Sequence, residues 1–187
     1  MRTYSRWLDH EKRRERWEES VDRYLSWIFS HRAVPSDIQD RCRRAILNFD
    51  VMPSMRALWS AGPVADRDNV SIYNCAFLPI DNLRAFAETL YILMQGTGVG
   101  FSVEEEFTSS LPSIAPRNNE THYLIVEDSA EGWAESLYDV LMYAYKGYSV
   151  DVDYSLVRPK NSPLKTKGGR ASGPEPCLLY TSPSPRD

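Results

Sequence analysis

Apolar residues recur at helical spacing through the first fifty positions. Trp17, Val21, Tyr24, Leu25 and Ile28 form one stripe, and Ile38, Cys42, Ala45, Ile46 and Phe49 form another. The spacing predicts two helices, with Cys42 as a small packed side chain on the second. Over residues 12–19 charges of both signs crowd together, the pattern of a solvated helix face. After Gly62-Pro63 and a polar stretch the texture changes. Over 70–78, Ile72, Asn74, Ala76 and Leu78 alternate with Tyr73, Cys75 and Phe77, which predicts a strand buried on both faces and ended by Pro79 and Asp81-Asn82. Leu83, Phe86, Ala87, Leu90, Tyr91, Leu93 and Met94 then outline a helix closed by Gly96. A second strand is predicted over 99–103 and a loop over 109–121. A further helix starts at a capping box of Asp128 and Glu131 and runs through Trp133, Leu137, Val140, Leu141 and Ala144 to Gly147. This order of helices and strands predicts an α/β protein.

Composition narrows the class. A chain of 187 residues with 42% hydrophobic side chains is long and apolar enough for one sizeable core. Its 22 basic and 26 acidic residues leave a net charge of -4, which argues against bulk nucleic-acid binding. No apolar run approaches the roughly 18 residues of a membrane span, and no basic segment precedes an apolar export signal. A soluble, cytoplasmic protein is expected. Cys42, Cys75 and Cys177 lack the spacing of a zinc site or a secreted disulfide framework. His10, His31 and His122 are scattered, as structural or solvent-facing histidines are. Residues 177–187 read as a translated transposon-type sequencing adapter, so the natural chain is expected to be cut short at Pro176.

Two glycine-rich turns carry the strongest local chemistry. Gly96-Thr97-Gly98-Val99-Gly100 looks like a dinucleotide fingerprint, but it joins a helix to a strand, and the fingerprint needs the reverse order. A tight, close-packed turn is the better reading. Gly168-Gly169-Arg170-Ala171-Ser172-Gly173 offers backbone amides and a guanidinium suited to an anion nest, and equally fits a plain flexible loop. By its surroundings alone, Cys75 is an inert packed thiol.

Six blocks in order point further: Arg2-Thr3-Tyr4-Ser5-Arg6-Trp7-Leu8, Pro53-Ser54-Met55-Arg56-Ala57-Leu58-Trp59-Ser60-Ala61-Gly62, Tyr73-Asn74-Cys75, Gly96 to Val103, Glu131-Gly132-Trp133, and Gly168 to Pro174. Together they resemble adenosylcobalamin-dependent ribonucleotide reductases, and more narrowly the monomeric ribonucleoside-triphosphate reductases. The resemblance runs from Arg2 to Pro176, so the chain is expected to be an N-terminal portion of a longer enzyme, with Met1 not its true start. It implies an N-terminal helical region over 1–62, the first part of a ten-stranded α/β barrel over 63–176, and a non-native tail over 177–187.

For chemistry, the resemblance implies a thiyl radical on a cysteine outside this chain, which removes the 3′ hydrogen of a ribonucleotide substrate. A cysteine pair supplies two electrons and ends as a disulfide, and Cys75 is the member of that pair found here. A thioredoxin-like dithiol would reset it. A deoxynucleotide effector would lie near Asp81, Asn82 and Glu104, with Asp81 as ribose-hydroxyl acceptor or as an ordinary turn residue. Lys167, Gly168, Gly169, Arg170, Ala171, Ser172 and Gly173 would form the loop facing substrate. Two other readings stay open: a reductase of the same superfamily with another radical generator, such as an iron-containing partner subunit, and a nucleotide-responsive binding module without chemistry.

Overall fold

The structure, a computed structural model, describes residues 5–164 and 169–174. These residues divide into two compact units, one made of those up to Asn74 with Gln95–Thr97, the other of Cys75–Met94 and those from Gly98 onward.

In the first unit a short antiparallel hairpin of β1 (Trp7–Leu8) and β2 (Arg13–Arg14) precedes α1 (Trp17–Ser30) and α2 (Ser36–Leu47). The Glu19 carboxylate accepts the Arg16 backbone N–H at 2.6 Å, which satisfies one orphan donor at the start of α1. Trp17, Val21 and Leu25 of α1 meet Ile46 of α2 and Leu58 of α3 (Met55–Ser60) in the buried core, with Cys42 packed beside them. Phe49, at φ 63, leaves α2 and stacks on Trp17 at 5.2 Å. Pro63 opens α4 (Pro63–Arg67), where its missing N–H costs nothing.

Three expectations need correction in the chain up to the end of β3. The charged stretch 12–19 is not a solvated helix face, because Arg13 and Arg14 lie in β2 and Glu15 is buried against Arg23. The strand expected over 70–78 is also shorter. Asp68 accepts the Val70 N–H at 2.8 Å and its carbonyl accepts the Ser71 hydroxyl at 2.9 Å, so residues Asn69–Ile72 coil into a 3-10 helix. Only Cys75–Pro79 form the strand, β3. Nor is that strand buried on both faces, since Phe77 is 67% exposed and Cys75 is exposed too.

The second unit contains two strand–helix–strand repeats. In one, β3 is followed by α5 (Arg84–Met94) and β4 (Gly98–Ser102); in the other, β5 (Thr121–Ile125) is followed by α7 (Ala130–Tyr145) and β6 (Ser149–Asp153). Each strand pair is parallel. A parallel pair needs a crossover, and each helix supplies one. The two helices pack on each other. Gly96 at φ +87 and Gly147 at φ +83 close α5 and α7 in the left-handed conformation that glycine adopts without strain. A single turn, α6 (Glu105–Thr108), follows β4. The α/β class holds, and β5 and β6 are additions to the elements read from the sequence.

The cap of α7 differs from expectation. Ser129, not Asp128, caps it, accepting the Gly132 N–H at 2.9 Å. Asp128 instead takes Arg158 Nε at 2.7 Å. His122 stacks on Tyr143 at 4.1 Å and meets Tyr148 edge-on, a structural histidine. Among the described residues no helix is long and apolar enough to cross a membrane.

Candidate functional site

Cys75 is the first residue of β3. Its parallel register partner is Gly98, the first residue of β4. The thiol is free and exposed. Because α5 packs on β3 and β4, Ala76 and Leu78 are half-buried, while Cys75 and Phe77 occupy the uncovered face. A thiol on that face is accessible to a second thiol or a small substrate, which the packed position expected from the apolar pattern would deny it.

The parallel pairing brings Asp81, Asn82 and Glu104 to the opposite end of the same strand pair. Ile80 N–H donates to Ser102 O at 2.9 Å, so the residues after β3 and β4 leave the sheet side by side. In parallel sheets ligands bind outside the carboxyl ends of the strands. Asn82 is largely committed: its Oδ1 accepts the Ala85 N–H at 3.1 Å near the start of α5, and its Nδ2 donates to Asp81 Oδ1 at 2.6 Å. Asp81 is exposed and held by that amide. Glu104 accepts the Ser102 hydroxyl, and its carbonyl accepts the N–H groups of Phe107 and Thr108 at 3.0 Å. Both carboxylates thus sit at element ends with exposed side chains.

Gly169, Arg170, Ala171, Ser172 and Gly173 come after β6 in the chain, separated from it by residues 154–168. Lys167 and Gly168 lie outside the described residues, as does the segment 177–187. The loop folds back on residues 160–164. Leu164 N–H donates to Gly169 O at 3.0 Å, Ala171 N–H to Ser162 O at 2.8 Å, and Asn161 N–H to Ala171 O at 2.9 Å. Arg170 Nη1 donates to Asn161 O at 2.9 Å from an exposed side chain. Gly169 at φ +90 has open space where a Cβ would stand, whereas a Cβ on Gly173 at φ +79 would lie 2.9 Å from Lys160 N. Glycine is required at 173 for approach and at 169 for conformation alone. Among the described residues of this loop, these hydrogen bonds run to its own preceding segment.

Sequence reading passed over the anchors of the turn before β4. Gln95 O accepts from Arg56 Nη2 at 3.0 Å, and Thr97 Oγ1 lies 2.9 Å from the carbonyls of both Val70 and Tyr73. The available signal was a threonine inside a glycine turn, where a smaller or more flexible residue would otherwise serve.

The chain was compared with known proteins. No family model matches it. Over 95% of its length it is 30% identical to the adenosylcobalamin-dependent ribonucleoside-triphosphate reductase of Euglena gracilis, covering 27% of that protein. It is 24% identical to the enzyme of the same name from Lactobacillus helveticus, covering 95% of this chain and 34% of that one. The crystal structure of a B12-dependent (class II) ribonucleotide reductase superposes with a TM-score of 0.78 at 24% identity, over 95% of this chain and 34% of that chain. The chain therefore spans about a third of the length of the relatives it matches. Over nearly all of its own length it is similar to part of the proteins named adenosylcobalamin-dependent ribonucleoside-triphosphate reductase, and it has the fold of the corresponding part of a class II ribonucleotide reductase.

Proposed function

We propose that this chain is part of an adenosylcobalamin-dependent reductase that converts ribonucleoside triphosphates to 2′-deoxyribonucleotides in the cytoplasm, and that Cys75 is one of its two reducing thiols. The single observation that supports the redox role is a free, exposed cysteine at the head of a parallel strand in a chain similar to those reductases over 95% of its length. On this reading β3–α5–β4 and β5–α7–β6 are opening repeats of a ten-stranded α/β barrel. The radical cysteine and the second reducing cysteine belong to the remainder of the full-length protein.

The overall reaction balances. Two thiols each give up one electron and one proton, the 2′ hydroxyl leaves as water, a hydrogen replaces it at carbon 2′, and the sulfurs join as a disulfide. A thioredoxin-like dithiol then returns the pair to thiols by exchange. Asp81, Asn82 and Glu104, at the carboxyl ends of β3 and β4, are proposed to face a deoxynucleotide effector, and the loop from Lys167 to Gly173 the substrate.

Adenosylcobalamin, when bound, supplies the radical that starts the reaction. The grooves seen among the described residues do not fit it: the one between α1 and α2, about 420 Å³, is lined mainly by charged and polar side chains, and the one between α5 and α7, about 340 Å³, sets Arg84, Glu88, Glu131 and Glu135 among its apolar residues, so neither offers a continuous apolar platform for a corrin ring. Its contacts are assigned to the remainder of the full-length protein, and no step here passes through it.

The test is Cys75→Ser in the full-length enzyme. The change keeps the side-chain volume and removes the sulfur that forms the disulfide. Multiple turnover with a dithiol reductant is expected to fall at least about a hundredfold while 3′ hydrogen abstraction persists, measured by deoxynucleotide yield beside tritium release from 3′-labelled substrate. Normal multiple turnover would return Cys75 to a structural residue.

A further inference from the structure

We infer that Thr97 is a positioning residue for the Cys75 thiol, an inference that rests on the redox reading of Cys75. Thr97 is 1% exposed, and its Oγ1 is 2.9 Å from both Val70 O and Tyr73 O. A hydroxyl carries one proton, so its donation is shared between two carbonyls, one in the 3-10 helix and one two residues before Cys75. The residue after Thr97 is Gly98, the register partner of Cys75. Tyr73 leads covalently to Cys75 and Thr97 to Gly98, so the hydroxyl closes a small ring that ties together the starts of β3 and β4.

The turn that presents Thr97 is itself fixed. Arg56 Nη2 donates to Gln95 O at 3.0 Å, and its guanidinium lies 5.3 Å from the Trp59 ring centroid. A Cβ at Gly96, where φ is +87, would stand 2.7 Å from that same Nη2. Glycine at 96 lets Arg56 reach the turn, and the fixed turn aims Thr97. A buried hydroxyl is costly unless it is hydrogen-bonded, and valine would fill the same space without that cost. The hydroxyl is explained by the carbonyls it holds. A thiol that must meet both a second sulfur and a reacting substrate loses rate steeply when its strand shifts.

Thr97→Val and Thr97→Ser in the full-length enzyme, run beside Cys75→Ser, test this. Thr97→Val is expected to lower kcat with a dithiol reductant about tenfold, with KM for the ribonucleotide unchanged within about twofold. It should slow disulfide formation at Cys75 in a single turnover of prereduced enzyme, read by mass spectrometry, by the same factor. Thr97→Ser keeps the hydroxyl and should restore both to wild-type values. The inference is overturned by a wild-type kcat in Thr97→Val, by a change confined to KM, or by a tenfold loss in Thr97→Ser, which decides the matter even if the valine variant does not fold. Cys75→Ser separates the two claims. Full turnover in that variant removes the redox reading itself, whereas collapsed turnover there with normal turnover in Thr97→Val removes only the role of Thr97.

Discussion

Glu15 is the residue whose chemistry departs furthest from its local sequence. It sits among charges on both sides, yet is only 9% exposed. Its carboxylate accepts Arg23 Nε at 2.8 Å and Nη2 at 3.0 Å, the Arg6 backbone N–H at 3.0 Å and the Ser20 hydroxyl at 3.0 Å. Arg23 continues to Ala61 O, and Arg6 to the carbonyls of Trp59 and Ser60. One carboxylate therefore ties the β1–β2 hairpin, α1 and the end of α3. Burial pushes its pKa up, but the Arg23 hydrogen bonds, the Arg6 N–H, the Arg23 charge and the Ser20 hydroxyl outweigh burial and hold it below the ordinary carboxylate value. A pKa lowered by folding contributes stability that is complete above the unfolded value and is lost as pH falls through the folded one. Glu15→Gln leaves Arg23 without its anion and is expected to cost about 3 kcal/mol at neutral pH. Urea unfolding between about pH 6 and pH 3 should show the gap between wild type and variant closing toward acid. A gap constant with pH would mean that the charge of Glu15 is not what holds the hairpin.

At the scale of elements, the four long helices were legible and four of the six strands were not. The stripes of α1, α2, α5 and α7 repeat over three turns or more, so the period stands out against any single residue. The β5 and β6 strands are five residues each, β6 carries Asp151 and Asp153 within it, and their pairing across α7 leaves no local mark. Their register sets Leu124 against Val152, an apolar match visible only once the two strands are side by side. The alternation over 70–78 misled for the opposite reason: Asp68 bonds its own backbone neighbourhood and ends the extended run before it starts. Glycines were legible as helix ends, but not the pressure on each. A Cβ on Gly147 would lie 2.1 Å from Pro116 O, while one on Gly169 would meet nothing. Residues 115–118 are strapped across that turn, with Ala115 N–H on Tyr145 O at 2.7 Å and Asn118 N–H on Gly147 O at 2.8 Å. Gly147→Ala should therefore cost at least about 2 kcal/mol, combining backbone strain with a displaced strap, and Gly169→Ala about 1 kcal/mol from strain alone. Thermal unfolding of the two variants measures the difference, and equal losses would show that the strap yields freely.

For the whole molecule, the candidate site was legible as a set of motifs but not as an arrangement. Blocks of sequence carried the family likeness; Cys75 begins β3, and Asp81, Asn82 and Glu104 follow the ends of β3 and β4. Which end of that pair each residue occupies follows only from parallel register, which places the thiol at one end and the two carboxylates at the other. Arg170 shows the same limit. Its charge and glycine setting suggest an anion or base contact, and the fold instead gives its Nη1 to Asn161 O while the side chain remains exposed. A guanidinium has five donors in a planar fork, so one bond to the loop's own backbone does not use up its donor capacity. Because the bond to Asn161 is exposed, losing it should cost under about 1 kcal/mol in stability. A charge-assisted contact to substrate would be worth roughly 1.5 to 3 kcal/mol, enough to reorder preferences among bases. Arg170→Ala in the full-length enzyme is therefore expected to change the ratios of kcat/KM among the four ribonucleotides, under each deoxynucleotide effector, by about tenfold or more, with total turnover under the best pairing falling less. Measuring all four substrates with each effector distinguishes the roles. A uniform loss across every pair would leave Arg170 as a staple of its own loop, and unchanged ratios with unchanged rates would remove it from the substrate side altogether.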